Sequence, residues 1–121
     1  MNIEQLRDYC LNKKGATEDF PFDEETLVFK VLGKVFALTS LKGWEASIQS
    51  INLKCNPDYA QELRAEYETI DSGFHMNKKH WNTIRLYKGE LKPQFIFELI
   101  DHSYNMVVKG MTKQMKAQLD K

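Results

Sequence analysis

The chain has 121 residues, of which 42% are hydrophobic and 28% are charged. This length suits one domain with one core, and the composition is that of a globular protein rather than a disordered or fibrous one. Seventeen basic residues balance seventeen acidic ones, so the net charge provides no general attraction to nucleic acid or to an acidic partner. The sequence predicts a single domain over residues 1–121 and argues against a two-domain enzyme.

The cysteine content and the length of the apolar runs indicate the cellular compartment in which the protein is expected. Cys10 and Cys55 are too few for the disulfide framework of a small secreted domain. The first residues do not form the basic and apolar regions of a signal peptide, and the apolar runs are far shorter than the roughly 18 to 20 residues of a membrane-spanning helix. We therefore expect a cytoplasmic protein with reduced thiols and no membrane association, and we expect it to be a monomer.

Helices are predicted by their capping residues and by apolar residues at helical spacing. A capping-box pattern begins the first helix, a proline follows the cap of the second, and a proline begins the third. The third helix has the strongest apolar stripe. The predicted helices cover residues 3–13, from 57 to about 68, and from 93 until Gly110, with a short last helix after Thr112.

Strands are predicted where apolar and polar residues alternate or where β-branched and aromatic residues cluster. We expect a type II′ turn at Gly33-Lys34, because glycine adopts the positive φ of that turn. Lys42-Gly43-Trp44 is expected to be a loop, and Ile70-Asp71-Ser72-Gly73 a break between elements. The predicted strands cover residues 26–32, 34–39, 51–55 and 81–87, with a further short one at 74–76.

The order of these elements predicts the fold class. Three consecutive strands can pair locally, and helices and strands do not alternate in the βαβ manner. The sequence therefore predicts an α+β domain with an antiparallel sheet and helices packed on one face.

The neutral net charge conceals an uneven distribution along the chain. Residues 72–89 contain four basic residues and no acidic one, whereas residues 58–71 contain five acidic residues and one basic one. Basic residues collect in the strand segments and the C-terminal tail, and acidic residues collect in the first two helices and in the loop after the first. We expect a protein with two electrically different sides.

The most informative stretch is residues 74–85, which has no acidic residue and mixes aromatic side chains with cations and amides. Lysine and arginine suit contacts with phosphate, whereas tryptophan and asparagine suit stacking and hydrogen bonding. A plainer interpretation is a solvated Lys-Lys turn beside a tryptophan that belongs to the core. The residues alone leave both interpretations open.

Residues 75–84, His-Met-Asn-Lys-Lys-His-Trp-Asn-Thr-Ile, resemble the MmcQ/YjbR family of small bacterial proteins. The proline-opened helix, the Ser103-Tyr104 pair and Pro21-Phe22 extend this resemblance over nearly the whole chain. The resemblance implies a compact fold of the secretion chaperone-like or frataxin-like kind. It also implies binding of double-stranded DNA through two hairpin wings.

Carried onto this sequence, one wing is the hairpin around Gly33 and the other is the turn at residues 77–80. Binding is expected to be weak and steeply salt-dependent, because the chain has no basic excess. The candidate nucleic-acid-binding residues are Lys30, Lys34, Lys78, Lys79, His80, Trp81, Asn82 and Arg85.

The alternative is a protein- or peptide-binding module with no nucleic-acid role, whose sheet face or helix groove receives a partner. Trp44, Trp81 and Tyr87 suit such a surface, although aromatic residues more often lie in a core. Catalysis is not expected, because the histidines and cysteines lack metal-ligand spacing and the Asp23-Glu24-Glu25 run is typical of a solvated turn. The sequence therefore predicts no catalytic residue, no metal site and no cofactor.

Overall fold

The computed structural model describes residues 1–73 and 76–121. Within these residues the chain forms six strands, five α-helices and one 3-10 helix. In chain order they are α1 (Ile3–Leu11), β1 (Ala16–Asp19), β2 (Thr26–Val31), β3 (Lys34–Ser40), α2 (Leu41–Glu45), β4 (Ser50–Lys54), α3 (Pro57–Glu66), β5 (Ile70–Ser72), β6 (Trp81–Arg85), the 3-10 helix (Leu86–Lys88), α4 (Pro93–Lys109) and α5 (Lys113–Leu119).

The described strands form one antiparallel sheet in the order β1-β2-β3-β4-β6-β5. Successive side chains point to opposite faces, so each strand presents its apolar residues to one side. Phe29, Phe36, Ile51 and Ile84 are almost completely buried in the core on that side, and α4 packs across β2, β3 and β4. The predicted α+β fold, with helices on one face of an antiparallel sheet, is confirmed.

Helix α4 covers the sheet because its apolar residues recur at helical spacing, with Ile96, Leu99 and Ile100 buried. Ser103 lies in the same buried stripe and is completely enclosed. Its hydroxyl donates to the carbonyl of Phe36 (2.5 Å) and accepts from the backbone N–H of Lys54 (2.8 Å). This one side chain therefore joins β3 to β4 from the helix side.

The turn between β2 and β3 differs from the predicted one. Leu32 and Gly33 both have positive φ, 49° and 81°, and Val31 pairs with Lys34 across the turn. Positive φ at both central residues is the signature of a type I′ turn. The type II′ turn expected at Gly33-Lys34 is therefore wrong in type, and the turn lies one residue earlier. The observed turn leaves Lys34 exposed at the start of β3.

Several short elements also differ from the sequence prediction. Residues 42–44 belong to α2, which Ser40 caps, and residues 70–72 form β5 rather than a break. β1 was not predicted, and the last central strand ends at Arg85 rather than at residue 87. β1 and β5 are edge strands held by β2 and β6, so pairing rather than local pattern determines them. Residues 74 and 75 of the strand predicted at 74–76 lie outside the described residues, and Met76 is not part of a strand.

Candidate functional site

The two predicted wings lie at the same end of the sheet. The β2–β3 turn begins β3, and the register of β3, β4 and β6 brings the end of β4 and the start of β6 to that same end. The segment before β1 also lies there, because Ala16 pairs with Val31. We call this end the basic end and define it by Lys14, Lys34, Lys54, Lys78 and Lys79.

Seven of the seventeen acidic residues lie toward the opposite end of the sheet. A strand of five to seven residues, at about 3.3 Å per residue, separates the two ends by about 20 Å. Lys42 and Lys88 also lie at this far end, but acidic residues outnumber them. We call it the acidic end and define it by Asp19, Asp23, Glu24, Glu25, Glu66, Glu68 and Glu90.

The side chains of Asn77 and Arg64 hold the turn at residues 77–80 through hydrogen bonds to its backbone. The Asn77 carboxamide oxygen accepts from the backbone N–H groups of Lys79 (2.9 Å) and His80 (3.3 Å), as in an Asx turn. From α3, the Arg64 guanidinium donates to the carbonyls of Lys78 and Trp81, the latter at 3.2 Å. Backbone polar groups are thus satisfied within the protein, while Lys78 and Lys79 remain exposed.

Arg64 is a positioning residue that the sequence did not reveal. Besides the two carbonyls, its Nε donates to the carboxamide oxygen of Asn82 at 2.6 Å. These partners lie 14 to 18 residues away along the chain. The sequence pattern of α3 does not predict these contacts, because α3 and this turn come together only in the folded chain.

The exposed members of the predicted nucleic-acid set are three lysines, Lys34, Lys78 and Lys79, whereas His80 and Trp81 are half-buried. Asn82 is 2% exposed, and its carboxamide oxygen is bound to Arg64. Its side chain therefore serves the interior and is inaccessible to a nucleic acid on this surface.

The remaining two members of the set are paired with carboxylates. Lys30 Nζ lies 3.4 Å from Asp19 Oδ2, and the lysine side chain is only 22% exposed. Arg85 Nη1 is bound to Asp71 Oδ2. The structure therefore separates Lys30 and Arg85 from the exposed lysines of the two turns.

A second feature is a cavity of about 760 Å³ on the sheet face that α4 does not cover, which we call the sheet-face cavity. Its polar lining includes Ser50 and Asn52 from β4 and Thr83 and Arg85 from β6. The Thr83 hydroxyl donates to the Asn52 carboxamide oxygen at 2.5 Å. Its apolar lining includes Phe22, Ile48, Met76 and Tyr87.

The titratable groups of the core are held in their neutral forms. Burial raises the pKa of the Cys10 thiol to about 12 and that of Cys55 to about 11, and both cysteines are free. Burial also lowers the pKa of His102, whose Nε2 accepts from the Asn56 backbone N–H at 3.1 Å. Protonated thiols are poor nucleophiles, so neither cysteine is chemically poised for covalent catalysis.

Across residues 1–73 and 76–121, no three histidine, cysteine, aspartate or glutamate side chains are grouped so as to hold a metal ion. In the same ranges, no helix has the length and apolar character needed to cross a bilayer.

Comparison with known proteins identifies the class. A family model described as YjbR matches residues 11–106, and the chain belongs to this family. The YbdF protein of Escherichia coli O157:H7 is 41% identical over 97 residues, which cover 78% of this chain and 75% of the relative. The YjbR protein of Escherichia coli K12 is 31% identical over 116 residues, covering 96% of this chain and 95% of the relative. Both relatives are described as uncharacterized proteins.

Solved structures share the fold. The Deinococcus radiodurans protein DR2400, of the domain family DUF419, matches with a TM-score of 0.87 and 36% identity, covering 98% of this chain and 88% of that one. A Pseudomonas syringae protein matches with a TM-score of 0.72 and 29% identity, covering 88% of this chain and 98% of that one. The family resemblance of residues 75–84 is therefore confirmed, and none of these names states an activity or a ligand.

Proposed function

We propose that the protein binds double-stranded DNA weakly through its basic end. The observation that carries the proposal is the convergence of two separate connections, the β2–β3 turn and the 77–80 turn, each with exposed lysine. Within the described residues, the ion pairs do not include Lys34, Lys78 or Lys79. Unpaired cations can exchange their counterions for phosphates, which is the main source of affinity for DNA.

The spacing of the two turns suits a duplex. In the sheet, β3 and β6 are separated by β4, so their starts are two strand spacings apart, about 10 Å. The major groove of B-form DNA is about 12 Å wide. Lysines on the two turns can therefore meet phosphates on opposite sides of one groove.

The neutral net charge limits this interaction without preventing it. At physiological ionic strength the Debye length is about 8 Å, less than half the separation of about 20 Å between the two ends of the sheet. The carboxylates of the acidic end are therefore largely screened from DNA at the basic end. Because the net charge is zero, the protein as a whole does not attract DNA over long distances. We therefore expect weak binding that depends on salt and not on the DNA sequence.

The test is a fluorescence-anisotropy titration of a labelled duplex at two salt concentrations. Three phosphate contacts give a slope of log affinity against log salt of about −2.7, or a loss of about 40-fold between 50 and 200 mM salt. Changing Lys78→Ala and Lys79→Ala together should reduce the magnitude of that slope by about two.

The matched control removes the same charge elsewhere. Lys88→Ala with Lys92→Ala changes two exposed lysines outside the basic end and leaves its turns intact. This control should keep the slope of the unchanged protein. The proposal fails if both double variants lose affinity equally, or if the unchanged protein does not bind the duplex at 50 mM salt.

A further inference from the structure

We propose that the sheet-face cavity binds a small organic anion with an apolar body. The site is separate from the basic end and does not depend on DNA binding. Its volume of about 760 Å³ lies within the roughly 300 to 1,000 Å³ typical of small-molecule pockets. The apolar lining alone would suit a peptide equally well. The inference of a small anion therefore depends on the polar part of the lining.

The apolar part of the cavity is formed by side chains that are unusually exposed for their type. Phe22 is 70% exposed, Ile48 is 57% exposed and Tyr87 is 45% exposed. These residues come from three connections of the chain, before β2, before β4 and after β6. Large apolar side chains gathered around a concavity mark a site that removes apolar surface of a ligand from water.

The polar part of the cavity is rich in hydrogen-bond donors. The Asn52 carboxamide oxygen is already bound by the Thr83 hydroxyl, which leaves the two N–H donors of the same amide for a ligand. Arg85 has five N–H donors, and its bond to Asp71 uses Nη1. The donors that these two bonds leave unused favour a ligand with a carboxylate or a similar acceptor group.

The charge of the described lining residues also favours an anionic ligand. Among those residues Arg85 is the only charged one, and no carboxylate is present. Asp71, its partner, is 55% exposed, and an exposed ion pair contributes little to stability, so a ligand anion can share the guanidinium. The nearby Asp23 carboxylate accepts from the N–H groups of Glu25 (2.8 Å) and Thr26 (2.6 Å) in its own loop.

The experiment uses two fluorescent probes with closely similar aromatic bodies. Anilinonaphthalene sulfonate carries an anionic group, and N-phenylnaphthylamine is neutral. Both should bind the folded protein, and the sulfonate should bind more tightly. Arg85→Gln should weaken the sulfonate by about tenfold, the size of one charge-assisted hydrogen bond, and should change the neutral probe by less than about twofold.

Arg7→Gln is the matched control, because Arg7 also forms an exposed ion pair, with Glu18, and does not line the cavity. It should leave both probes unchanged. The inference is overturned if Arg85→Gln and Arg7→Gln have the same effect, or if the neutral probe binds as tightly as the sulfonate.

The location of binding is tested separately. Ser50→Phe places an aromatic ring in the cavity and should abolish binding of both probes. In the unchanged protein, NMR shifts on adding the sulfonate should concentrate at the amides of Leu38, Asn52 and Thr83. Shifts elsewhere would refute the site even if Ser50→Phe failed to fold. Arg85→Gln should also leave the salt dependence of DNA binding unchanged, which keeps the two proposals distinguishable.

Discussion

Replacing Ser103 by alanine should show how much of the central sheet depends on one helix side chain. Ser103 is completely buried, and its hydroxyl joins the carbonyl of Phe36 on β3 to the N–H of Lys54 on β4. The Cα pairs between these strands are Ala37 with Leu53 and Leu38 with Asn52. The hydroxyl therefore extends the connection between them toward the basic end.

The expected loss follows from the two groups that Ser103→Ala leaves without a partner. A buried donor or acceptor that loses its hydrogen bond costs about 1 to 3 kcal/mol. Two such groups, one of them only partly buried, lower the free energy of unfolding by about 2 to 4 kcal/mol. With an unfolding entropy of about 2.1 cal/mol/K per residue, a chain of 121 residues should lose roughly 8 to 16 °C in Tm.

Urea unfolding followed by circular dichroism measures this loss, with the slope on urea expected to stay constant. Asn105→Ala, an exposed position on the same helix, is the control and should change the free energy by less than about 0.5 kcal/mol. Hydrogen exchange should accelerate at the Lys54 amide and not at Ile51. A loss below about 1 kcal/mol for Ser103→Ala, with Lys54 still protected, would refute the reasoning.

Two further predictions concern the turn at 77–80 and the pH dependence of stability. Arg64→Ala should lower the free energy of unfolding by about 2 kcal/mol, because two backbone carbonyls lose a charged hydrogen-bond donor. The same change should broaden the NMR signals of Lys78 and Lys79. Sharp, unshifted signals would contradict this prediction. Because the pKa of His102 lies below its ordinary 6.5 in the folded protein, the unfolded chain binds more protons as pH falls through about 6.5, and stability should fall with it. His102→Gln should flatten the stability curve between about pH 7 and 5, and an unchanged curve would assign the dependence to other groups.

Elements that form for local reasons could be predicted from the amino-acid sequence. The capping box at Asn2, the Asn56-Pro57 start and the long apolar stripe after Pro93 each produced the predicted helix, because a cap or a repeat acts within a few residues. Alternation likewise predicted a strand beginning at Trp81, although it did not show that Asn82 faces the core. The uneven distribution of charge was also visible in the sequence. The sequence did not show which end of the sheet would carry the basic residues and which the acidic ones.

The other elements and the candidate sites could not be predicted locally, because they depend on residues that are distant in the chain. β1 and β5 are too short to be recognised locally and form by pairing with β2 and β6. Strand register gathered the lysines at one end of the sheet, and Arg64 fixed the turn that carries two of them. Asn82 and Arg85, alike in the sequence as candidate DNA contacts, were separated by the pleat: one points into the core and the other lines the uncovered cavity.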